Sequence, residues 1–168
     1  MAAAPPPPVD TNLPVLRPFT AFNFVVLIDL SKVETVQNVA CNAAFSECDG
    51  LEMTLEPKTI REGGRNTGPV HLAGAISYGQ LTLKRGMTQG FDLWKWFDKV
   101  AGPGGGGFRT TATIVMRASD LSDEVVFKLR GCLPVKLKAP ALNAKDGLVA
   151  IEEMQIAYEN LEWQAPTP

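Results

Sequence analysis

Hydrophobic and polar residues alternate in several segments of the chain, and this alternation predicts β-strands. "FTAFNFVVLID" (Phe19–Asp29) is rich in β-branched and aromatic residues, which favour strands. In "CDGLEMTLEP", apolar residues alternate with glutamate and threonine as far as Pro57, and "YGQLTLKRG" repeats the pattern with Leu81 and Leu83. Because the side chains of a strand point to alternate faces, we expect both segments to be half-buried strands. The apolar face of the first one consists of Leu51, Met53 and Leu55.

The period changes in "FDLWKWFDKV", between residues 91 and 100. Its apolar residues are spaced at i, i+3, i+4 and i+7, which is typical of an amphipathic helix of about three turns. We expect Thr88 to cap the N-terminus of this helix and Gly102 to end it. The core face of the helix consists of Leu93, Trp96, Phe97 and Val100, and the opposite side consists of Asp92, Lys95 and Asp98.

The second half of the chain contains two further strand-like segments, "RTTATIVMRAS" and the longer "VVFKLRGCLPVKLK". Gly131 and Pro134 indicate a bulge or bend within the longer strand. Its apolar face consists of Phe127, Leu129, Leu133, Val135 and Leu137, and its basic face of Lys128, Arg130, Lys136 and Lys138. The last segment, "LVAIEEMQIAYENLEW", fits both a helix and a strand with a bulge at Glu152–Glu153, and periodicity alone leaves both open.

The order of these segments, strands followed by a helix and more strands, predicts a mainly β protein. We expect an antiparallel β-barrel or β-sandwich of about six strands, with one flanking amphipathic helix and a long inter-strand loop. This domain spans residues 19–164, and residues 165–168 form a short C-terminal tail. Residues 1–18 form a Pro-rich N-terminal arm in which Pro5–Pro8 favour polyproline II, either as a solvated tail or as an arm ordered on a neighbouring subunit.

Composition and charge argue against several classes of function. The chain has 168 residues, about one domain, and its net charge of −2 does not favour nucleic acid or an anionic membrane. Cys41, Cys48 and Cys132 include no C-x-x-C pair, which favours buried or half-buried thiols in a reducing compartment. "MAAAPPPPVD" lacks the features of a signal peptide, and no apolar run reaches the ~20 residues of a membrane helix. We therefore expect synthesis and assembly in the cytoplasm, with no direct membrane anchor.

The motifs that could carry chemistry are all incomplete. "GPGGGG" matches GxGxxG but follows the predicted helix instead of opening one, so a flexible connector is expected. His71 is the only histidine, no GxSxG occurs, and the adjacent Glu152 and Glu153 would face opposite sides of a strand as surface or bulge residues. No exposed aromatic residues interleave with the basic face, so we expect it to be solvated or paired with acids across an interface. The sequence predicts no enzyme activity, catalytic residue, cofactor or metal site, and no recognition of a nucleic-acid sequence.

Several short motifs occur along the chain in a fixed order. They are "FNFVV", "AFSECDGLEMTLEP", "REGGRN", "LTLKRGMTQGFDLWKWFDKV" and "FKLRGCLPVKLKAP" followed by "AIEEMQIAYENLEW". From about Phe19 to Trp163, this series resembles the tail tube family of contractile injection systems and contractile-tailed phages. The most specific stretch combines a strand, Lys-Arg-Gly, and Leu-Trp-x-Trp on the helix. Asp49, the Pro-rich arm and the glycine-rich connector depart from the family pattern.

The resemblance implies a structural role. Family members are β-barrel-like subunits that form hexameric rings, and the rings stack into a rigid hollow tube inside a contractile sheath. Sheath contraction drives the tube through a target envelope, and cargo can travel in the lumen. The implied partners are other copies of the chain, a sheath protein, baseplate or spike proteins, terminal cap proteins and cargo. The resemblance also implies that the last segment is a strand.

Two sets of residues are candidates for contacts within such a tube. The segment from Pro57 to Ala75 exceeds the ~12–15 residues of an ordinary loop, and "REGGRNTGPVHLAG" within it carries four glycines. Glycines permit close backbone approach, and charged side chains can bond across a subunit boundary. The candidate interface residues are Arg61, Glu62, Gly63, Gly64, Arg65, Asn66 and His71. The candidate lumen-lining residues are Glu52, Thr54, Glu56, Gln80, Thr82 and Lys84.

Two alternatives stay open at this stage. The chain could be a tube-initiating or terminal paralogue within the same machine, or a monomeric β-sandwich that binds a ligand. The resemblance also leaves open whether the particle is a phage, a released injector or one anchored at a membrane.

Overall fold

The structure, a computed structural model, describes residues 21–31, 45–61, 63, 68–117, 124–145 and 147–165. Within these ranges the chain forms eleven strands, one α-helix and one 3-10 turn, so the predicted mainly β architecture with one helix is confirmed. The strands are β1 (Phe24–Ile28), β2 (Phe45–Asp49), β3 (Met53–Leu55), β4 (Lys58–Ile60), β5 (Val70–Leu72), β6 (Ile76–Tyr78), β7 (Gln80–Gly86), β8 (Thr110–Arg117), β9 (Glu124–Lys138), β10 (Ile151–Ala157) and β11 (Asn160–Gln164). The helix, α1, spans Asp92–Ala101, and the 3-10 turn spans Gly105–Gly107.

The long strand β9 joins two half-sheets that enclose one hydrophobic core. Its N-terminal half lies between β8 and β11, and β8 also pairs with β1; these strands are the first half-sheet. Its C-terminal half pairs with β10, β10 pairs with β7, and β7 pairs with β2; these strands are the second half-sheet. Every pair is antiparallel. Since the described strands β1 and β2 lie at opposite ends of the path, the fold is a sandwich and not a closed barrel.

The change of layer within β9 occurs where the sequence predicts a bend. Gly131 has a φ of 68°, in the left-handed region that favours glycine. Residues before it pair with β8 and β11, and Leu133 onward pairs with β10. Val135, predicted to lie on the apolar face, is instead exposed, because β9 has a bulge at this position: Lys136 pairs with Gln155 and Pro134 with Ile156, which leaves Val135 without a partner on β10. The core is lined by Val26, Ile28, Ala112, Ile114 and Leu129 from the first half-sheet and by Leu81, Leu83, Met154 and Ile156 from the second.

The last segment forms two strands, β10 and β11, as the resemblance implies. The predicted bulge at Glu152–Glu153 is wrong, because the register of β10 against β9 shifts between Gln155 and Ile156. A turn at Tyr158 and Glu159 moves the chain from the second half-sheet to the first.

Helix α1 packs its predicted apolar face on the core. Leu93 and Trp96 are buried, and Phe97 and Val100 are half-buried against the core. Thr88 is not the N-cap; the cap residue is Phe91, whose φ of 50° is unusual for a bulky side chain. The predicted end at Gly102 is confirmed, since its N–H donates to the Asp98 carbonyl at 2.9 Å. No helix in the described part of the chain is long and apolar enough to cross a membrane.

The glycine-rich segment after α1 is more ordered than a flexible connector. It forms the 3-10 turn, and Gly105 is buried against the C-terminal end of α1. A Cβ at Gly105 would lie 2.2 Å from the Lys99 carbonyl oxygen, so only glycine fits this contact. The turn thus closes the helix end against the strand that follows.

A buried ionic cluster holds the start of α1 to the second half-sheet. Arg85 is 1% exposed, and its Nε donates to Glu152 Oε1 at 2.7 Å. The guanidinium also donates to both carboxylate oxygens of Asp92, and Trp94 Nε1 donates to Glu152 Oε2 at 2.9 Å. The predictions that Glu152 is a surface or bulge residue and that Asp92 lies on the polar side of the helix are therefore wrong. Pairing with one arginine offsets part of the desolvation cost of both carboxylates.

Candidate assembly surface

The segment expected to be a long loop forms a two-stranded antiparallel ribbon. Strand β3 pairs with β6, and β4 pairs with β5 farther out. The Glu56 N–H donates to the Ala75 carbonyl at 3.3 Å and links the two ladders. We call residues 53–61 and 68–78 the ribbon. It does not pair with either half-sheet among the described strands, so it projects from the sandwich.

Gly50 separates the ribbon from β2. Its φ is 91°, and a Cβ there would lie 2.0 Å from the Gln80 carbonyl oxygen, so the chain turns here in a way that requires glycine. The single strand predicted for "CDGLEMTLEP" is therefore wrong. Leu51 stays packed against the core, whereas Met53 and Leu55 leave with the ribbon.

The Tyr158 side chain fixes the base of the ribbon. Its hydroxyl accepts a hydrogen bond from the Glu52 N–H at 3.0 Å and donates to the Gly50 carbonyl at 2.9 Å. Its ring also lies 5.7 Å from that of Tyr78, centroid to centroid. Burial raises the pKa of Tyr158, so the hydroxyl keeps the proton that it donates.

Apolar side chains of the ribbon are exposed in two patches. At the base, Leu55 lies opposite Ile76, and nearer the tip Ile60 lies opposite Val70. Two residues separate β3 from β4 whereas three separate β5 from β6, so the pairing register shifts between the two ladders and the two patches lie at different positions along the ribbon. The base patch consists of Met53, Leu55 and Ile76, which are 52%, 47% and 54% exposed. The tip patch consists of Ile60 and Leu72, which are 41% and 46% exposed, with Val70 half-buried.

Three of the predicted interface residues are described, and all are exposed on the ribbon. Arg61 follows β4, and Gly63 would accept a Cβ without contacting any atom of the described chain within 4 Å. His71 lies on β5 with its Nδ1 3.3 Å from Thr59 Oγ1. Glu62, Gly64, Arg65 and Asn66 lie outside the described residues.

The six predicted lumen residues fall on two different elements. Gln80, Thr82 and Lys84 lie on β7, where they alternate with the buried Leu81, Leu83 and Arg85 and so face away from the core. Glu52, Thr54 and Glu56 lie instead at the base of the ribbon, where all three are exposed. The structure brings each set of three together but does not join the two sets in one sheet.

The outer face of the second half-sheet carries rows of polar residues that the sequence analysis did not connect. One row crosses four strands in register and alternates in charge; its members are Glu47, Lys84, Glu153 and Lys138. The next row consists of Asp49, Thr82, Gln155 and Lys136. The Nζ atom of Lys84 lies 2.9 Å from Glu47 Oε2, and this hydrogen bond raises the pKa of the lysine. The bend divides the predicted basic face of β9 between the two half-sheets. Lys136 and Lys138 lie on the second half-sheet, whereas Arg130 lies on the first, where its Nη2 is 3.1 Å from Glu162 Oε2.

The candidate site consists of surfaces on the described part of the chain. Its residues contain no group of three or more His, Cys, Asp or Glu side chains that could hold a metal ion. The main features are the apolar surface of the ribbon and the polar face of a half-sheet whose edges no described strand covers.

A family model matches nearly the whole chain. The model describes the T4-like virus tail tube protein gp19, and it covers residues 20–162. The chain belongs to this family. The chain is thus a structural tube protein by family, in agreement with the resemblance in its motifs. None of the curated proteins matches its sequence.

Solved structures of similar fold come from contractile injection systems. One of them is a chain in the sheath–tube complex of PVC, an extracellular contractile injection system, in the extended state. It superposes with a TM-score of 0.71 and 18% sequence identity, and the match covers 90% of this chain and 94% of that chain. A chain in the baseplate of the anti-feeding prophage has a TM-score of 0.69 and 26% sequence identity, and the match covers 89% of this chain and 97% of that chain. A chain in the tube-terminating cap of the anti-feeding prophage has a TM-score of 0.73 and 17% sequence identity, and the match covers 92% of this chain and 95% of that chain.

Proposed function

We propose that this tail tube protein is the repeating subunit of the inner tube of a contractile, phage tail-like injection system. Six copies close into a ring, the rings stack around a lumen, and contraction of a sheath drives the tube through a target envelope. The family match over residues 20–162 supports this role. The observation that carries the proposal is the ribbon, whose two apolar patches, at its base and nearer its tip, are exposed in the single chain.

Both apolar patches of the ribbon need a partner. Contiguous exposed apolar surface marks protein–protein contact, and a two-stranded hairpin alone is marginally stable in water. A ribbon inserted between two neighbouring copies would cover the base patch with one copy and the tip patch with the other. Arg61, Gly63 and His71 would then contact a neighbour, together with the remaining interface candidates of the sequence.

The edges of the second half-sheet support ring closure. One edge is β2, which carries Glu47 and Asp49, and the other is the C-terminal half of β9, which carries Lys136 and Lys138. Since neighbouring strands in this half-sheet alternate in direction, β2 of one copy beside β9 of the next would also be antiparallel. Such pairing would join an acidic edge to a basic one and remove both open edges.

The polar face of the same half-sheet is the surface that we assign to the lumen. Gln80, Thr82 and Lys84 point away from the core, so a lumen wall built from this face leaves the core intact. After ring closure, the rows of alternating charge would continue around the wall. Cargo would meet a surface on which acids and bases are interspersed.

Partners follow from this assignment. The similar solved structures are described as a sheath–tube complex, a baseplate and a tube-terminating cap. By analogy, the tail tube protein would contact a sheath protein, baseplate or spike proteins and a terminal cap, with cargo in its lumen. The particle would assemble in the cytoplasm and then be released from the cell or be anchored at a membrane.

Negative-stain electron microscopy across a concentration series tests the proposal. We expect six-fold rings at intermediate concentration and hollow tubes at high concentration. If the purified protein stays monomeric, the same subunit is sought in intact particles, where it should be the main component of the tube. Its absence from particles would overturn the proposal.

A second candidate is a tube-initiating paralogue of the same machine. The chain with 26% identity comes from a baseplate structure, and this observation favours such a role. Copy number per particle separates the two candidates, since an initiator occurs in one or a few rings and the main subunit in every ring.

A further inference from the structure

An apolar groove opens beside the start of α1. Its volume is about 490 Å³, and its lining is almost entirely apolar. Met87, Phe91 and Trp94 form one side, and Pro140 and Leu142, from the connection between β9 and β10, form the other. Lys95 and Asp98 are the charged residues that line it. Neither the ribbon nor the polar face of the second half-sheet includes this groove.

The groove presents aromatic and aliphatic surface that nothing covers in the described chain. Leu142 is 92% exposed, and Phe91 is 45% exposed. Phe91 holds a φ of 50°, a conformation that bulky residues rarely adopt and that is concentrated at functional sites. The Trp94 indole is held in place because its Nε1–H donates to the buried Glu152 at 2.9 Å. The Trp94 ring is thus held in place beside an apolar slot that Phe91 also lines.

We propose that this groove binds the Pro-rich arm of a neighbouring copy, with Pro5–Pro8 in the slot between Trp94 and Pro140. Polyproline II segments dock into aromatic-lined grooves because their conformation is already formed and little entropy is lost on binding. Proline also lacks an N–H, so a groove with few polar groups leaves no proline donor unsatisfied. Asp10, two positions after Pro8, would approach the ammonium group of Lys95.

The topology favours a neighbouring copy over the same chain. Phe24, at the start of β1, pairs with Met116, and Met116 pairs with Val125 near the start of β9. The groove lies beyond the other end of β9, after Lys138, and the path along this bent strand is at most roughly 40 Å. An arm in polyproline II spans roughly 40 Å from Ala21 back to Pro8, so binding its own groove would require the arm to run back along most of the subunit. In an end-to-end stack, the arm would leave one copy close to the groove of the next; this step rests on the proposed function.

Photocrosslinking in assembled tubes tests the docking. Pro7→p-benzoylphenylalanine is introduced into the full chain, and tubes are grown from a mixture of isotopically light and heavy protein. We expect crosslinks from Pro7 to peptides that contain residues 87–98 or 139–145, joining chains of different isotope. Crosslinks within one chain, to another surface, or to a sheath protein in intact particles would overturn the proposal.

Matched variants show whether the groove itself is required. Leu142→Asp adds a charge to the groove, whereas Leu148→Asp changes a leucine of the same connection that is 83% exposed and does not line it. We expect Leu142→Asp to lower the crosslink yield at least fivefold and Leu148→Asp to leave it unchanged. Equal yields in both variants would contradict the assignment.

A peptide titration separates this inference from the tube function. The probe is a synthetic peptide of Ala3–Asn12, added to a full chain whose own four prolines carry Pro5→Ser, Pro6→Ser, Pro7→Ser and Pro8→Ser. We expect a saturable change in tryptophan fluorescence that Leu142→Asp abolishes and that a peptide with the same serines does not cause. If the protein forms tubes but the peptide does not bind, the docking proposal is overturned and the tube function stands. If the peptide binds but no tubes form, the docking proposal is supported and the proposed stacking is overturned.

Discussion

At the scale of single residues, the least expected feature is the buried ion cluster around Arg85. Two of its members could have been located from the alternation of the sequence. Arg85 lies on the same face of β7 as the buried Leu81 and Leu83, because even spacing in a strand keeps side chains on one face. Glu152 likewise shares a face of β10 with Met154 and Ile156. Two opposite charges on the apolar faces of two strands predict a pair. The partner Asp92 could not be located, because the angle between α1 and the sheet is set by tertiary packing.

Removal of Arg85 should destabilise the fold strongly. Arg85→Met would leave the carboxylates of Asp92 and Glu152 buried without their cation, and we expect the free energy of unfolding to fall by roughly 3–5 kcal/mol. Lys84→Met is the matched control, since its ion pair with Glu47 is partly exposed to solvent and its loss should cost much less than that of the buried cluster. Urea denaturation of both variants measures the difference. Equal losses would show that the buried cluster is no stronger than a surface pair.

The described cysteines should react slowly in the native protein. Burial raises the pKa of Cys48 to about 11, with a further contribution from the charge of Asp49, and burial raises that of Cys132 to about 12. Because the thiolate is the reactive form, alkylation of Cys48 at pH 8 should be about 100-fold slower than that of a free thiol and should rise about tenfold per pH unit. Peptide mapping after iodoacetamide treatment measures the rates, with denatured protein as the reference. Similar rates in native and denatured protein would contradict the burial of these thiols.

At the scale of elements, the sequence predicts strands well where alternation is uninterrupted. Strand β7 and the bent β9 follow from their patterns, because their apolar side chains face a core that the same chain supplies. The ribbon does not follow, since Met53 and Leu55 alternate like core residues but lack a core within the single chain. An alternating pattern predicts that one face of a strand is buried, but the burial can come from a neighbouring copy instead of the same chain.

The ribbon should matter for assembly more than for folding. Leu55→Asp places a charge in the base patch, so we expect rings and tubes to be lost while the free energy of unfolding of the monomer changes by less than about 1 kcal/mol. Leu148→Asp, an exposed leucine outside the ribbon, is the control and should assemble normally. Electron microscopy and thermal unfolding measure the two properties. Normal tubes from Leu55→Asp would exclude the base patch as a contact.

At the scale of the whole molecule, the two edges of the second half-sheet complement each other only between copies. The sequence shows the acids of β2 and the bases of β9 as separate clusters. Their positions at opposite edges depend on the strand order, which local patterns do not determine. The sandwich fold as a class was within reach of the sequence, whereas this strand order needed the structure.

A charge exchange between the edges should test ring closure. Asp49 and Lys136 suit this purpose because their neighbours in register, Thr82 and Gln155, are neutral. We expect Asp49→Lys and Lys136→Glu each to lower the yield of rings severalfold, and the double variant to restore it. Analytical ultracentrifugation measures the ring fraction. A double variant with a lower yield than either single variant would show that these edges do not meet.

The two apolar patches of the ribbon have a thermodynamic consequence for the assembled particle. If both patches become covered when copies associate, each added subunit removes hydrocarbon from water, and association acquires a negative heat-capacity change. Such association is driven by entropy near room temperature and weakens on cooling. The tube would then be more cohesive at warm temperatures than in the cold, and cooling alone would weaken the contacts between its subunits.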